Sequence, residues 1–178
     1  MSKKIALNKK LLIGRSEWCA LPDLKIKKIK AKIDTGAKTS AIHAVNMKII
    51  KKFNQKWVYF DVYPLQRNQI KIIHCHAPLF DLRKVMSSSG HKENRYVILT
   101  VLNIGNQSWP IEVTLSNRDP LQYRMILGRE ALSNKVLIDP SIACHQNRIE
   151  SSVRPRRLEA KDVALSRQEH GFESRRGR

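Results

Sequence analysis

Acidic residues are scarce in this sequence: 15 Asp+Glu oppose 34 Lys+Arg over 178 residues, a formal charge of +19 at pH 7. Nine of the basic and five of the acidic residues fall in 143–178, so +15 remains on residues 1–142. A body this basic attracts polyanions, whether nucleic acid, a ribosome or an acidic peptide. Lysines on strand faces, as in Lys25 to Lys32, also protect sheet edges, but solubility alone does not call for so large an imbalance. Long apolar runs are missing as well. A membrane-spanning helix needs about 18 consecutive apolar residues, and Leu11-Leu12-Ile13 is too short for the core of a signal peptide. The expectation is a cytoplasmic protein with no membrane partner.

Cysteine is limited to Cys19, Cys75 and Cys144, an odd number with no Cys-x-x-Cys pair. That excludes a disulfide framework and a zinc ribbon, and leaves buried or idle thiols. The helix-borne His-Glu-x-x-His of zinc peptidases does not occur. His74 and His76, two apart on an expected strand, project to one face and could chelate a metal with His91, but paired histidines on a strand face are more often surface or packing residues, and no metal is assigned. Gly36-Ala37-Lys38-Thr39 echoes a phosphate-binding loop without its Gly before the Lys or its Gly five positions upstream, so no nucleotide or other cofactor is assigned. No internal repeat is visible.

What is present is a succession of short runs rich in β-branched and aromatic residues, separated by turn formers. They are Leu11 to Gly14, Ile26 to Ile33, Ala41 to Ile50, Lys56 to Val62, Gln69 to Cys75, Tyr96 to Ile104, Gln107 to Leu115, Arg124 to Leu127 and Val136 to Asp139. An all-β barrel follows. Trp57 to Val62 and Tyr96 to Leu102 read as hairpin partners, and Asn103 to Asn106 as the turn into the next strand. Asp81 to Asn94, with Met86-Ser87-Ser88-Ser89-Gly90-His91 at its centre, reads as a polar loop, either a flap over a cleft or an ordinary exposed connection. Residues 1–10 form a basic extension, 11–142 the folded body and 143–178 a basic tail expected to be disordered.

One stretch carries chemistry. The strand-like Lys27 to Ile33 gives way to Asp34-Thr35-Gly36-Ala37-Lys38-Thr39-Ser40-Ala41, so Asp34 falls where a strand becomes a turn. Asp, Thr and Gly are ordinary turn formers. They also make the loop with which aspartic proteases hold a catalytic carboxylate, and those enzymes need two such carboxylates side by side, sharing one proton. This chain has one Asp-Thr-Gly, so the second must come from another copy, in a homodimer with Asp34 of each subunit at the two-fold axis. Downstream, Met125-Ile126-Leu127-Gly128-Arg129-Glu130 places apolar residues and a Gly before a short helix-like Arg129 to Asn134.

In order and spacing these two segments resemble the retroviral-type aspartic proteases, the retropepsins. Over about Leu11 to Ser141 the chain is similar to the bacterial family labelled ATP-dependent zinc proteases, regarded as retropepsin-like. The stretches that carry the likeness include Gly14 to Trp18, Lys30 to Ala44, Phe60 to Arg67, Trp109 to Glu112, Leu115 to Asp119 and Met125 to Arg129. The resemblance implies a closed acid-protease barrel with one short C-terminal helix. It also implies an aspartic endopeptidase with Asp34 catalytic and Thr35, Gly36 and Gly128 supporting the loop, while Ala37, Lys38 and Arg129 become candidate substrate contacts. The family is often associated with ATP-grasp ligases that add glutamates to a ribosomal protein, which implies an acidic substrate and a ribosomal partner. Lys38 departs from the retroviral pattern, where an acid stands, and would repel Arg129 if close; a cationic cleft suits a glutamate-rich peptide. The competing reading is a non-catalytic basic β-barrel module that binds a ribosomal or other polyanion.

Overall fold

The structure, a computed structural model, describes residues 10–52, 54–66, 70–86, 92–118 and 122–146. Its strands are β1 (Leu11–Gly14), β2 (Ser16–Leu21), β3 (Ile26–Asp34), β4 (Ser40–His43), β5 (Val45–Lys52), β6 (Gln55–Val62), β7 (Ile73–Pro78), β8 (Asp81–Met86), β9 (Lys92–Ile104), β10 (Gln107–Ser116), β11 (Met125–Gly128) and β12 (Val136–Asp139). A one-turn helix, α1 (Arg129–Leu132), follows β11, and a 3-10 turn spans Pro22–Leu24. The all-β class and the short helix are as the sequence indicates. Among the described residues no helix is long and apolar enough to cross a membrane.

The main sheet runs β10-β4-β11-β3-β2-β9-β8, and β9 also pairs with β10, so six of its strands close into a ring with β8 attached to β9. Alternation decides which side chains fill it. Along β3, Ile29 and Ala31 are buried while Lys28 and Lys32 are exposed, and Ile42, Ile98, Leu102, Leu115, Met125 and Leu127 complete the interior with almost no exposure. Burial of such side chains contributes about 1.5–3 kcal/mol each. A second sheet, β5-β6-β7, packs Val58, Phe60 and Cys75 on the same core. β1 and β12 form a separate parallel pair, with Leu12, Leu137 and Ile138 exposed.

Four expectations need correction. The single strand from Ala41 to Ile50 is two: the His43 and Ala44 amides donate to Arg124 and Ser116 carbonyls, which keeps β4 in the ring, and the chain then crosses to the second sheet through a bulge at Asn46, where φ is +54°. The strand expected at Gln69 to Cys75 is β7, from Ile73 to Pro78. Trp57 to Val62 does not pair with Tyr96 to Leu102. β6 lies between β5 and β7, whereas β9 pairs with β8, β10 and, at one point, β2. The polar connection at Asp81 to Asn94 is largely a β8–β9 hairpin, in which charged Arg83 bridges Asp81 and Glu112; residues 87–91, the flap candidate with His91, lie outside the described residues.

β2 is absent from the sequence reading because a carboxylate occupies one of its core positions. Glu17 is fully buried, and its Oε1 accepts the Gly14 amide at 2.7 Å and the His145 amide at 2.8 Å. The Cys144 amide donates to the Ser16 carbonyl at 2.7 Å, so the chain as far as Gln146 is held against β1 and β2. The rest of the expected tail, 147–178, lies outside the described residues.

Candidate active site

Asp34 is the last residue of β3, and its parallel neighbour in β11 is Gly128. The turn that follows wraps around its carboxylate. Oδ1 accepts the Gly36 amide at 3.1 Å and the Ala37 amide at 3.2 Å, while the Ala37 amide also reaches the Asp34 carbonyl at 3.3 Å. Oδ2 makes no hydrogen bond within the described residues. Asp34 is half-buried and Thr35 and Gly36 are exposed, so the backbone of an exposed turn fixes one carboxylate oxygen. Gly36 does not have a left-handed φ. Its role is spatial, because a Cβ there would stand 3.3 Å from Asp34 Oδ1.

The support beneath the loop comes from β11 and α1. At Gly128 a Cβ would meet the Thr39 carbonyl carbon at 2.6 Å and the Lys38 and Thr39 carbonyl oxygens at 2.8 Å, so only glycine lets the two backbones pass this close. The Gly128 amide donates to Ser40 Oγ at 3.2 Å, and the Arg129 and Glu130 amides donate to the Ala37 and Lys38 carbonyls at 2.9 and 3.1 Å. The first amides of α1, which have no partner within their own helix, therefore hold the loop. The Arg129 side chain adds a bond to the Gly36 carbonyl at 3.1 Å and a longer one to Thr35 at 3.5 Å.

The expected repulsion between Lys38 and Arg129 is relieved by a residue the sequence reading passed over. Glu130 lies 3.7 Å from Lys38 and accepts the Thr39 hydroxyl at 3.1 Å, and Nη1 of Arg129 donates to loop carbonyls. The Lys38–Glu130 pair is exposed and contributes at most about 1 kcal/mol. Ser40 also went unread, although a hydroxyl at a strand start beside a glycine is a signal for backbone bracing.

Arg118 is the third. It follows β10, and its amide donates at 2.9 Å to Nδ1 of buried His43 at the end of β4, the strand that leaves the Asp34 loop. Its Nε is buried with no hydrogen-bond partner among the described residues. Burial lowers the guanidinium from its ordinary value and the positive charge of Arg95 lowers it further, while the negative charge of Asp34 acts the other way. Arg95 itself is paired with Glu93. Arg118 belongs to the Leu115 to Asp119 stretch, which was legible as a motif without a role.

Other candidates lie elsewhere. His74 and His76 do share an exposed face of β7, but His74 Nδ1 is 2.6 Å from Asp61 Oδ1 and His76 stacks on Tyr59 with ring centroids 5.4 Å apart. Asp61 also accepts from Asn46 at 2.8 Å, a bond that lowers its carboxyl from the usual value, with His74 adding to it. The open groove lined by Asn46, Tyr59, Asp61 and His74 belongs to the β5-β6-β7 sheet, not to the sheet that carries Asp34. Among the described residues, no three His, Cys, Asp or Glu side chains are placed to hold a metal ion. The Cys75 thiol is pushed up to about 12, first by burial and then by Asp61, and burial also pushes Cys19 up, so neither supplies a thiolate.

An all-β fold that presents one Asp-Thr-Gly loop on an apolar-apolar-Gly strand and a short helix has the features of the retropepsin-like class. The family model described as RimB-like, retropepsin-like aspartic endopeptidase RimB, matches residues 12–149, and the chain belongs to that family. Its curated relatives include proteins named probable alpha-L-glutamate ligase. The chain is 48% identical over 132 residues to the one from Shewanella pealeana, covering 74% of this chain and 29% of that protein. Over 144 residues it is 46% identical to the one from Desulfotalea psychrophila, covering 81% and 30%. The chain thus spans less than a third of the length of these relatives. Among solved structures, a Legionella pneumophila protein of unknown function (DUF785) superposes with a TM-score of 0.65 at 26% identity, over 76% of this chain and 98% of that one.

Proposed function

We propose that the chain is one half of an aspartic endopeptidase, a retropepsin-like closed barrel that acts as a homodimer on acidic, glutamate-rich peptide. The observation that carries the reading is the Asp34 carboxylate, with Oδ1 held by two loop amides and Oδ2 making no hydrogen bond among the described residues, on a loop that Gly128 and α1 support from beneath. Two such carboxylates at a two-fold axis share one proton. The ionised one takes a proton from water as the water oxygen attacks the amide carbon, and the protonated one donates to the carbonyl oxygen. Return of a proton to the amide nitrogen then breaks the C–N bond and leaves a carboxyl and an amine. Thr35 braces the paired loops, and Ala37, Lys38 and Arg129 line the approach.

Self-association has support in the fold. Leu12, Leu137 and Ile138 are exposed on the two-stranded β1–β12 sheet, which pairs with no further strand among the described residues, although Glu17 and Gln146 side chains accept from and donate to the outer edge of β1. The Arg15 carbonyl, one residue past β1, accepts the Ile33 amide, which ties this sheet to the base of the Asp34 loop. For the substrate, the charge of +19 supports an acidic chain, and so do relatives in which a similar stretch is part of a protein named for ligating glutamate. The same charge favours a second reading, a binding module for a ribosomal or other polyanion that has no turnover.

A panel of fluorogenic peptides of equal length tests the substrate. Glutamate-rich members are cleaved fastest, with a rate that falls as salt rises. Preference for basic or purely apolar members, or salt-sensitive binding without cleavage, would contradict the peptidase reading.

A further inference from the structure

Among the described residues, Nε of the Arg118 guanidinium is a buried donor that meets no acceptor. The residue is half-buried, its Nε is fully enclosed without an acceptor, and its side chain forms no ion pair among the described residues. A cation removed from water without a partner is costly, and such a group persists where it meets an anion in use. The local acids do not serve. Among the described residues, Glu93 is taken by Arg95, whose charge acts on Arg118, and Asp34 gives its bonded oxygen to loop amides. The negative charge of Asp34 acts on Arg118, yet the two form no ion pair.

The position is also fixed by the backbone. The Arg118 amide is bonded to His43, and β4 and the end of β10 are paired in parallel through Ser116 and His43. The side chain is thus anchored one strand away from the loop that carries Asp34. With Nε enclosed, the terminal amino groups of its planar fork are what a ligand can reach, and they match a carboxylate in bidentate geometry, which a lysine cannot reproduce.

We propose that Arg118 forms an anion subsite that seats a side-chain carboxylate of the peptide beside Asp34, with Arg95 behind it deepening the positive field. The inference rests on the peptidase reading and adds to it the residue that selects glutamate. Bulk charge draws in an acidic chain; this subsite reads one position of it.

The test compares peptide pairs that differ by one Glu→Gln change, taken one position at a time, against wild-type, Arg118→Gln and Arg118→Lys protein. A charge-assisted bond to carboxylate corresponds to about a ten- to hundred-fold preference. The wild-type protein shows that ratio of kcat/KM at one position, Arg118→Gln brings it to about one at that position alone, and Arg118→Lys recovers part of it. A ratio unchanged in Arg118→Gln, or lowered equally at every position, would overturn the proposal. The same pairs titrated against Asp34→Asn protein give the binding ratio without turnover. If no peptide is cleaved but that ratio still depends on Arg118, the peptidase reading fails while the subsite stands; if binding shows no Arg118-dependent ratio, the subsite fails whatever the activity.

Discussion

Asp34→Asn protein hydrolyses the acidic peptide about 10² to 10⁴-fold more slowly than the wild type, the range associated with loss of a general acid–base group. Its thermal unfolding is unchanged. The two parts of this expectation have one origin. An asparagine keeps an Oδ1 that accepts the Gly36 and Ala37 amides, so the turn that holds Asp34 survives the change. It cannot carry the proton that two carboxylates share, so the pair has neither a base for water nor an acid for the carbonyl. Full activity in Asp34→Asn would remove the mechanism. A large drop in melting temperature would show that the carboxylate serves the fold rather than the reaction.

The second large effect lies under the loop. In Gly128→Val protein the new side chain starts 2.6 Å from the Thr39 carbonyl carbon and 2.8 Å from two carbonyl oxygens, and these are backbone atoms that no rotamer change can move. Forced separation of β11 from the loop costs about 3 kcal/mol, the upper end for overpacking. It also strains the bonds from the Arg129 and Glu130 amides to Ala37 and Lys38, on which the loop's shape depends. Denaturant unfolding and peptide hydrolysis therefore both suffer. Gly36→Ala gives the contrast: its Cβ meets only Asp34 Oδ1, at 3.3 Å, on an exposed turn, so hydrolysis falls while stability stays within about 0.5 kcal/mol. Equal loss of stability in the two variants would contradict the support assigned to Gly128.

What could be read from the sequence was whatever neighbouring residues decide. Asp34-Thr35-Gly36 makes its own turn, β3 shows its two faces through Ile29 and Ala31 against Lys28 and Lys32, and Leu127-Gly128 marks a strand that ends in a close contact. Where a core position holds a charge the pattern fails. Glu17 hides β2, because its burial depends on amides at Gly14 and His145, one of them distant in the chain. Charged residues likewise hide β8, since Arg83 finds its partners on β8 and β10. The break at Ala44 was invisible for another reason: apolar residues continue through it, and only the hydrogen bonds to Ser116 and Arg124 decide that one half stays in the ring. At the site, the loop and Gly128 were legible, but the answer to Lys38 and Arg129 was not. Glu130 separates their charges through a contact the fold creates, and the isolation of Arg118 exists only once β4 and β10 are side by side.

Specific activity measured against protein concentration, with sedimentation reporting the assembly at each point, reaches the centre of this reading. A chain that supplies one carboxylate loses activity per mole as dilution separates the copies, in proportion to the fraction that remains dimeric. Undiminished specific activity at concentrations where the protein sediments as a monomer would contradict it.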